Sequence, residues 1–185
     1  MHVLVLLYDT EAGATEPGTG GFDDEMAGYR AFAERAGGAI RGGAPLELSP
    51  TARTFRSAAD GSVEVADGPA TSAAAVLGGY YLLEVDDLAA ALALVPHIPA
   101  TSAPNGGSEV RVASALETFR AEGEARPNLW LATTHDPDPD PDADADGQRA
   151  DAHRRFVEDH RDHLIRTVTV TPATEATTVR GCPGE

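Results

Sequence analysis

The stretch DGPATSAAAVLGGYYLLEV, residues 67–85, decides the fold of this chain. Asp67-Gly68-Pro69 predicts a turn, because glycine tolerates positive φ and proline cannot donate to a strand ladder. Residues 78–85 are rich in aromatic and aliphatic side chains and predict a β-strand. Asp86-Asp87 follows and is expected to cap a helix over residues 88–95. A turn, a strand and a helix therefore succeed one another here.

Further elements are predicted on both sides of this stretch. The apolar run of residues 2–8 predicts a central strand buried on both faces. Asp23 or Asp24 is expected to cap a helix that ends at Gly37-Gly38. The remaining predictions are a bent strand over residues 39–48 around Gly42-Gly43, a hairpin of residues 51–56 and 62–66 around Asp60-Gly61, and a last strand over residues 109–112.

This order predicts an α+β domain over residues 1–112, of the ferredoxin-like split βαβ kind, with both helices on one face of an antiparallel sheet. The other face of such a sheet is left bare. Tyr80, Leu82, Val110 and Val112 are expected on that face. The least costly cover is the sheet of a second subunit, so we expect a homodimer through sheet faces.

Composition narrows the partners and the compartment. The 185 residues carry a formal net charge of −16, and all 14 basic residues are arginine, which indicates either a GC-rich genome or adaptation to high salt. Such a chain cannot assemble the basic face that nucleic acid requires. Cys182 has no partner for an intrachain disulfide, and no apolar run reaches the 18 residues of a membrane helix. We expect a cytoplasmic protein that binds neither nucleic acid nor membrane.

The C-terminal third contains a partial internal repeat. Residues 153–180 align without a gap against residues 29–56, with six identities. Residues 129–136 resemble the first strand and its exit. We therefore predict a partial second β-α-β copy over residues 128–185, after a linker at residues 113–127. The alternative is an unrelated helix followed by two strands.

Three further expectations concern this region. The linker is expected to hold a short helix over residues 114–124, and a longer helix is expected over residues 148–166. The acidic run at residues 136–147 alternates aspartate with proline and alanine, which predicts a solvated loop within the second copy.

The hallmarks of residues 1–112 resemble the YCII-related family, in particular its DGPF-domain branch. They are Tyr8 at the exit of the first strand, Phe32, Gly42-Gly43, the segment 50–56, Asp60-Gly61, Asp67-Gly68-Pro69, the segment 78–82, Ala89–Ala91 and Glu109-Val110-Arg111. The resemblance implies a dimeric α+β barrel in which two sheets pack face to face. It also implies an acid–base pair in some members, a histidine in the first helix with a nearby aspartate. Tyr29 stands at that histidine position here, so His153 and Asp162 of the second copy are the candidates for the pair.

We expect a small-molecule pocket near Tyr8, Tyr29, Arg53, Asp67 and Tyr80. Two interpretations of Asp67 stay open. Its carboxylate either accepts hydrogen bonds from the backbone of the turn or acts as a base in a cleft. The function hypotheses are a small-molecule-binding or enzyme-like protein with acid–base chemistry, and a non-catalytic interaction module.

No cofactor and no metal are expected. His160 and His163 are spaced to share a metal, but their charged neighbours favour a solvated helix face. Residues 142–147 match the opening of a calcium loop, yet His153 stands where that loop needs a bidentate glutamate.

Overall fold

The computed structural model describes residues 1–12, 15, 17–58, 60, 62–70, 75–119, 130–134 and 148–180. Its strands and helices, in chain order, are β1 His2–Asp9, α1 Gly20–Ala36, β2 Ile40–Pro45, β3 Arg53–Ser57, β4 Val63–Asp67, β5 Val76–Glu84, α2 Leu88–Leu94, α3 Pro99–Ser102, β6 Gly107–Thr118, α4 Gln148–His160, β7 Arg166–Val170 and β8 Thr177–Val179. The chain divides into two compact units. One comprises residues 1–115 and the described residues from 169 onward, and the other comprises the described residues between 116 and 168.

The main sheet has the strand order β2-β5-β1-β6-β7, and β8 also pairs with β6. The strands β2, β5, β1 and β6 pair antiparallel in the order of a ferredoxin-like fold, with α1 after β1 and with α2 and α3 between β5 and β6. The predicted α+β class is confirmed. The strands β3 and β4 form the predicted hairpin, as a separate two-stranded sheet.

The core lies between the helices and one face of the sheet. Val3, Val5 and Leu7 alternate along β1 and point into it, and Phe32 of α1 packs there with 1% of its surface exposed. This alternation follows from the two-residue period of a strand. The cap of α1 differs from the prediction. Thr19 is the N-cap, because its hydroxyl accepts the Phe22 N–H at 3.3 Å, whereas Asp23 lies in the first turn.

The other side of the sheet, which we call the open face, carries Leu4, Leu6 and Tyr8 of β1. Tyr80 and Leu82 lie opposite Leu6 and Leu4 and share this face, as predicted. The placement of Val110 and Val112 there is wrong. They lie opposite Val5 and Val3, so the register of β6 against β1 turns them toward the helices.

The open face exposes less apolar surface than the sequence predicts. Leu6 and Leu82 belong to this face, yet within the single chain only 8% and 1% of their surface is exposed to solvent. The apolar residues that do stay exposed in the first unit include three on the hairpin, Phe55, Val63 and Val65, at 67%, 60% and 58%. Exposed apolar surface is therefore concentrated on β3 and β4.

The strand β6 is longer than predicted. It continues to Thr118, so residues 114–118 are extended and not helical. Pairing with the chain that returns through β7 holds this extension, since the Thr171 N–H donates to the Val112 carbonyl at 2.9 Å and Ser114 Oγ donates to the Thr169 carbonyl at 3.2 Å. Residues 120–124 of the expected helix lie outside the described residues.

The C-terminal elements agree only in part with expectation. The helix α4 ends at His160, six residues before the predicted end, and residues 130–134 have no regular secondary structure where a strand was expected. The interpretation of this region as a partial repeat stays a prediction, and the acidic loop at 136–147 lies outside the described residues. Within the part of the chain that the structure describes, no helix is long and apolar enough to cross a membrane.

Candidate functional site

Three polar side chains meet on the open face of the sheet. Tyr8 ends β1 opposite Gly107, and Glu109 and Arg111 of β6 lie opposite Leu6 and Leu4. Because successive residues of a strand alternate between faces, Tyr8, Glu109 and Arg111 all point to the open side. We call these three residues the open-face cluster.

The guanidinium of Arg111 is largely withdrawn from solvent. Its side chain is 17% exposed, and Nη1 lies 3.6 Å from Oε1 of Glu109, which is 29% exposed. Nη2 donates to the Thr171 carbonyl. Among the described residues, neither Nε of Arg111 nor the hydroxyl of Thr171 has a hydrogen-bond partner. A buried donor without a partner is costly, but Nε is closed to solvent, so a ligand would meet Arg111 at another atom, such as Nη1 beside Glu109.

Tyr8 supplies a neutral hydroxyl to the cluster. Burial raises the pKa of Tyr8, the charge of Glu109 raises it further, and the charge of Arg111 opposes the shift. A phenol with a raised pKa keeps its proton at physiological pH and serves as a hydrogen-bond donor or acceptor. Glu109 is then the residue of the cluster that can accept a proton as a carboxylate.

An open cleft of about 600 Å³ adjoins the cluster and lies within the first compact unit. Its lining residues are Tyr8, Thr10, Ala75, the run 104–109, Thr178 and Arg180. The run is held by a hydrogen bond between the buried hydroxyls of Thr101 and Ser108. It also needs glycine at 106, where a Cβ would lie 1.8 Å from the Ala100 carbonyl oxygen. The loop wall of the cleft is thus fixed by the packing of α3 against β6.

The structure divides the predicted pocket residues among separate places. Tyr8 and Tyr80 share the open face. Tyr29 lies on the helix side of the sheet, packed against the core in which the rings of Phe32 and Tyr81 contact each other at 5.0 Å between centroids. The sheet therefore separates Tyr29 from Tyr8.

Asp67 and Arg53 lie on the hairpin. Asp67 is 84% exposed and its Oδ1 lies 3.2 Å from Nε of Arg53, the residue directly opposite in the ladder. The turn that follows is held by Gly68, which adopts φ +93° and whose N–H donates to the Ala52 carbonyl at 2.9 Å. Neither Asp67 nor Arg53 lines the cleft beside Tyr8. The Gly68 amide thus donates to Ala52 and not to the Asp67 carboxylate, which pairs with Arg53, and the role of Asp67 as a site residue stays a prediction.

His153 and Asp162 belong to the second compact unit, and both are exposed. His153 lies on α4, and Asp162 lies in the turn beyond the helix end at His160. Nδ1 of His160 lies 2.9 Å from the Phe156 carbonyl oxygen. No group of three or more His, Cys, Asp or Glu among the described residues is arranged to hold a metal ion.

Comparison with known protein families matches residues 1–115 to the YCII-related domain. The chain belongs to the YCII-related family. A comparison with curated proteins gives no match. The matched residues contain β1, β2, β5, most of β6 and the whole open-face cluster, whereas β7 and β8 lie beyond the match.

Two residues of the cluster in this YCII-related domain were not predicted as site residues. Glu109 and Arg111 were noted only as hallmarks of the last strand. Their signal was present in the sequence, since two charged residues alternate with Val110 and Val112 in a strand that pairs with the most buried strand of the sheet. Charged side chains in such a place are seldom buried unless paired.

Titration of Tyr29 in the YCII-related domain tests whether this residue is buried on the helix side of the sheet. Burial, followed by the charge of Glu25, raises the pKa of Tyr29 from 10.0 to about 12. The unfolded chain loses this proton near pH 10 and the folded chain keeps it, so stability falls as pH rises from 10 to 12. We expect Tyr29→Phe to make this fall smaller and to remove the latest phase of phenolate absorbance. If the phase lost in the variant is one that titrates near pH 10, Tyr29 is exposed and its placement on the helix side is wrong.

Proposed function

We propose that the YCII-related domain binds a small organic molecule in the cleft beside the open-face cluster. The observation that carries this proposal is the cleft itself, which is lined by Tyr8 and Glu109, with the guanidinium of Arg111 3.6 Å from the Glu109 carboxylate. Two donors and one acceptor converge there, which is the usual composition of a small-molecule site. The resemblance to the DGPF-domain branch and the single cysteine support a cytoplasmic metabolite as the ligand.

The same groups support acid–base chemistry on that molecule. An oxygen atom held by Arg111 and Tyr8 would gain stabilisation as negative charge develops on it. Glu109 is the proton acceptor in this arrangement, and the proton would pass from the ligand to its carboxylate. Nη1 of Arg111 lies 3.6 Å from Oε1 of Glu109 and would help to hold that carboxylate in place for the transfer.

The test uses mandelamide, a neutral probe that carries a hydroxyl and an acceptor oxygen. We expect its affinity, measured by NMR titration, to fall about tenfold in Glu109→Gln, because a hydrogen bond to a charged acceptor is replaced by a neutral one. The matched control is Asp67→Asn, which makes the same chemical change on the hairpin and should leave the affinity unchanged. Loss of binding in Asp67→Asn with retention in Glu109→Gln would overturn the proposal.

A second candidate function is self-association. Phe55 and Val65 lie directly opposite each other on the hairpin, Val63 lies on the same face, and all three are more than half exposed. An exposed cluster of this kind favours a protein partner. We propose a second copy of this chain as the partner, in keeping with the dimeric barrel that the resemblance implies.

Sedimentation velocity tests this association. We expect a dimer at micromolar concentration, and we expect Val65→Glu to shift it to a monomer, because the new charge would be buried without a partner. Ala66→Glu is the matched control, since Ala66 is exposed on the opposite face of the same strand. A wild-type chain that sediments as a monomer throughout would contradict the proposal.

A further inference from the structure

The cleft is completed by a strand that the family match does not include. β8 pairs antiparallel with β6 so that Val179 lies opposite Ser108 and Thr178 lies opposite Glu109. Val179 packs against the helix-side core. By alternation, Thr178 and Arg180 point to the open face, and both line the cleft. Two residues from the far end of the chain therefore lie beside the open-face cluster.

Gly107 of β6 lies between Tyr8 and Arg180. It lies opposite Tyr8 on one side, and the stem of Arg180 adjoins it on the other, with Cγ 3.4 Å from the position of a Cβ on Gly107. Strands are spaced by about 4.8 Å, so the backbones that carry Tyr8 and Arg180 lie about 10 Å apart. Because Gly107 has no side chain, the stem of Arg180 approaches the backbone there and the cleft stays open between Tyr8 and Arg180.

The part of the cleft between Tyr8 and Arg180, which we call the slot, differs in charge from the whole chain. The chain carries a net charge of −16, yet Arg180 and a single carboxylate, that of Glu109, line the slot, and the guanidinium of Arg111 lies 3.6 Å from that carboxylate. An anion is therefore attracted to one place on a protein that otherwise repels it. The Glu109 carboxylate accepts hydrogen bonds, so the same ligand also needs a hydrogen-bond donor.

We infer that the ligand is a small carboxylate that also carries a hydroxyl group. Arg180 would bind the carboxylate, and the hydroxyl would donate to Glu109. Thr178, directly opposite Glu109, would offer its own hydroxyl to the same molecule. This inference rests on the proposed function, because it names the ligand class of the same cleft and assigns specificity to β8.

The test compares three probes on the full chain by NMR titration. Mandelate has a carboxylate and a hydroxyl, phenylacetate lacks the hydroxyl, and mandelamide lacks the charge. We expect wild type to bind mandelate best. Arg180→Gln should weaken the binding of mandelate and of phenylacetate about tenfold, because a charged hydrogen bond is lost, and should leave the binding of mandelamide unchanged. Arg180 is exposed, so this variant is expected to fold.

The matched control is Arg35→Gln, an equal loss of charge at an exposed position on α1. It should leave the ratio of mandelate to mandelamide affinity unchanged. If Arg180→Gln also leaves that ratio unchanged while Glu109→Gln still weakens mandelamide, the role of Arg180 is wrong and the proposed function stands. If none of the three probes shifts a resonance of β1 or β6, the proposed function itself is wrong.

Discussion

Replacing Arg111 by methionine is expected to weaken mandelate binding by at least about tenfold, since hydrogen bonds to a charged group contribute about 1.5–3 kcal/mol each. Methionine keeps an unbranched side chain on the open face but removes the charge and every donor. We expect Nη1 of Arg111, which lies 3.6 Å from the cleft-lining Glu109, to bind the ligand, so its removal acts on affinity directly. The dissociation constant from an NMR titration measures the effect.

Arg53→Met is the control for this prediction. Arg53 makes an exposed ion pair with Asp67 on the hairpin, so its loss removes the same charge without touching Glu109 or any residue that lines the cleft. Exposed pairs of this kind contribute about 1 kcal/mol or less to stability. Equal affinities for mandelate in Arg111→Met and wild type would contradict the assignment of Arg111.

Replacing Phe32 by alanine is expected to lower the free energy of unfolding by about 3–5 kcal/mol. Phe32 is 1% exposed, and its ring contacts Tyr81 between α1 and the sheet. Alanine would leave a cavity lined by groups that cannot close it. Urea unfolding followed by circular dichroism measures the change.

The control for the core is Phe55→Ala on the hairpin. Phe55 is 67% exposed in the single chain, so at concentrations where the chain is monomeric the same truncation removes little buried surface, and we expect a loss of less than about 1 kcal/mol. The two variants thus differ in burial and not in chemistry. A loss for Phe55→Ala in the monomer as large as that for Phe32→Ala would mean that Phe55 is also buried within the single chain.

Local sequence predicted the elements of this fold because their signals are local. The helix that follows Asp87 is capped as expected, since the Asp87 carboxylate accepts the Ala90 N–H at 2.8 Å. The placement of Val110 and Val112 failed for a different reason. A shift of register by one residue exchanges the two faces of a strand, and the register of β6 is set by β1, about 100 residues away in sequence.

The site was predicted less completely than the fold. Tyr8 could be identified because it ends an apolar strand, where a polar side chain is placed at the rim of the sheet. Asp67 was predicted as a site residue because of the turn that follows it. In the structure, backbone contacts hold that turn. Arg180 could not be found from sequence, since only the pairing of β8 with β6 brings it to Gly107.

The most direct test of the central claim is a map of amide chemical-shift changes on adding mandelate to the isotope-labelled full chain. If the open-face cluster is the site, the largest changes occur at Tyr8, Gly107, Glu109 and Arg111, and the amides around Asp67 stay unchanged. Changes that are confined to the hairpin around Asp67, or no changes at any amide, would contradict it.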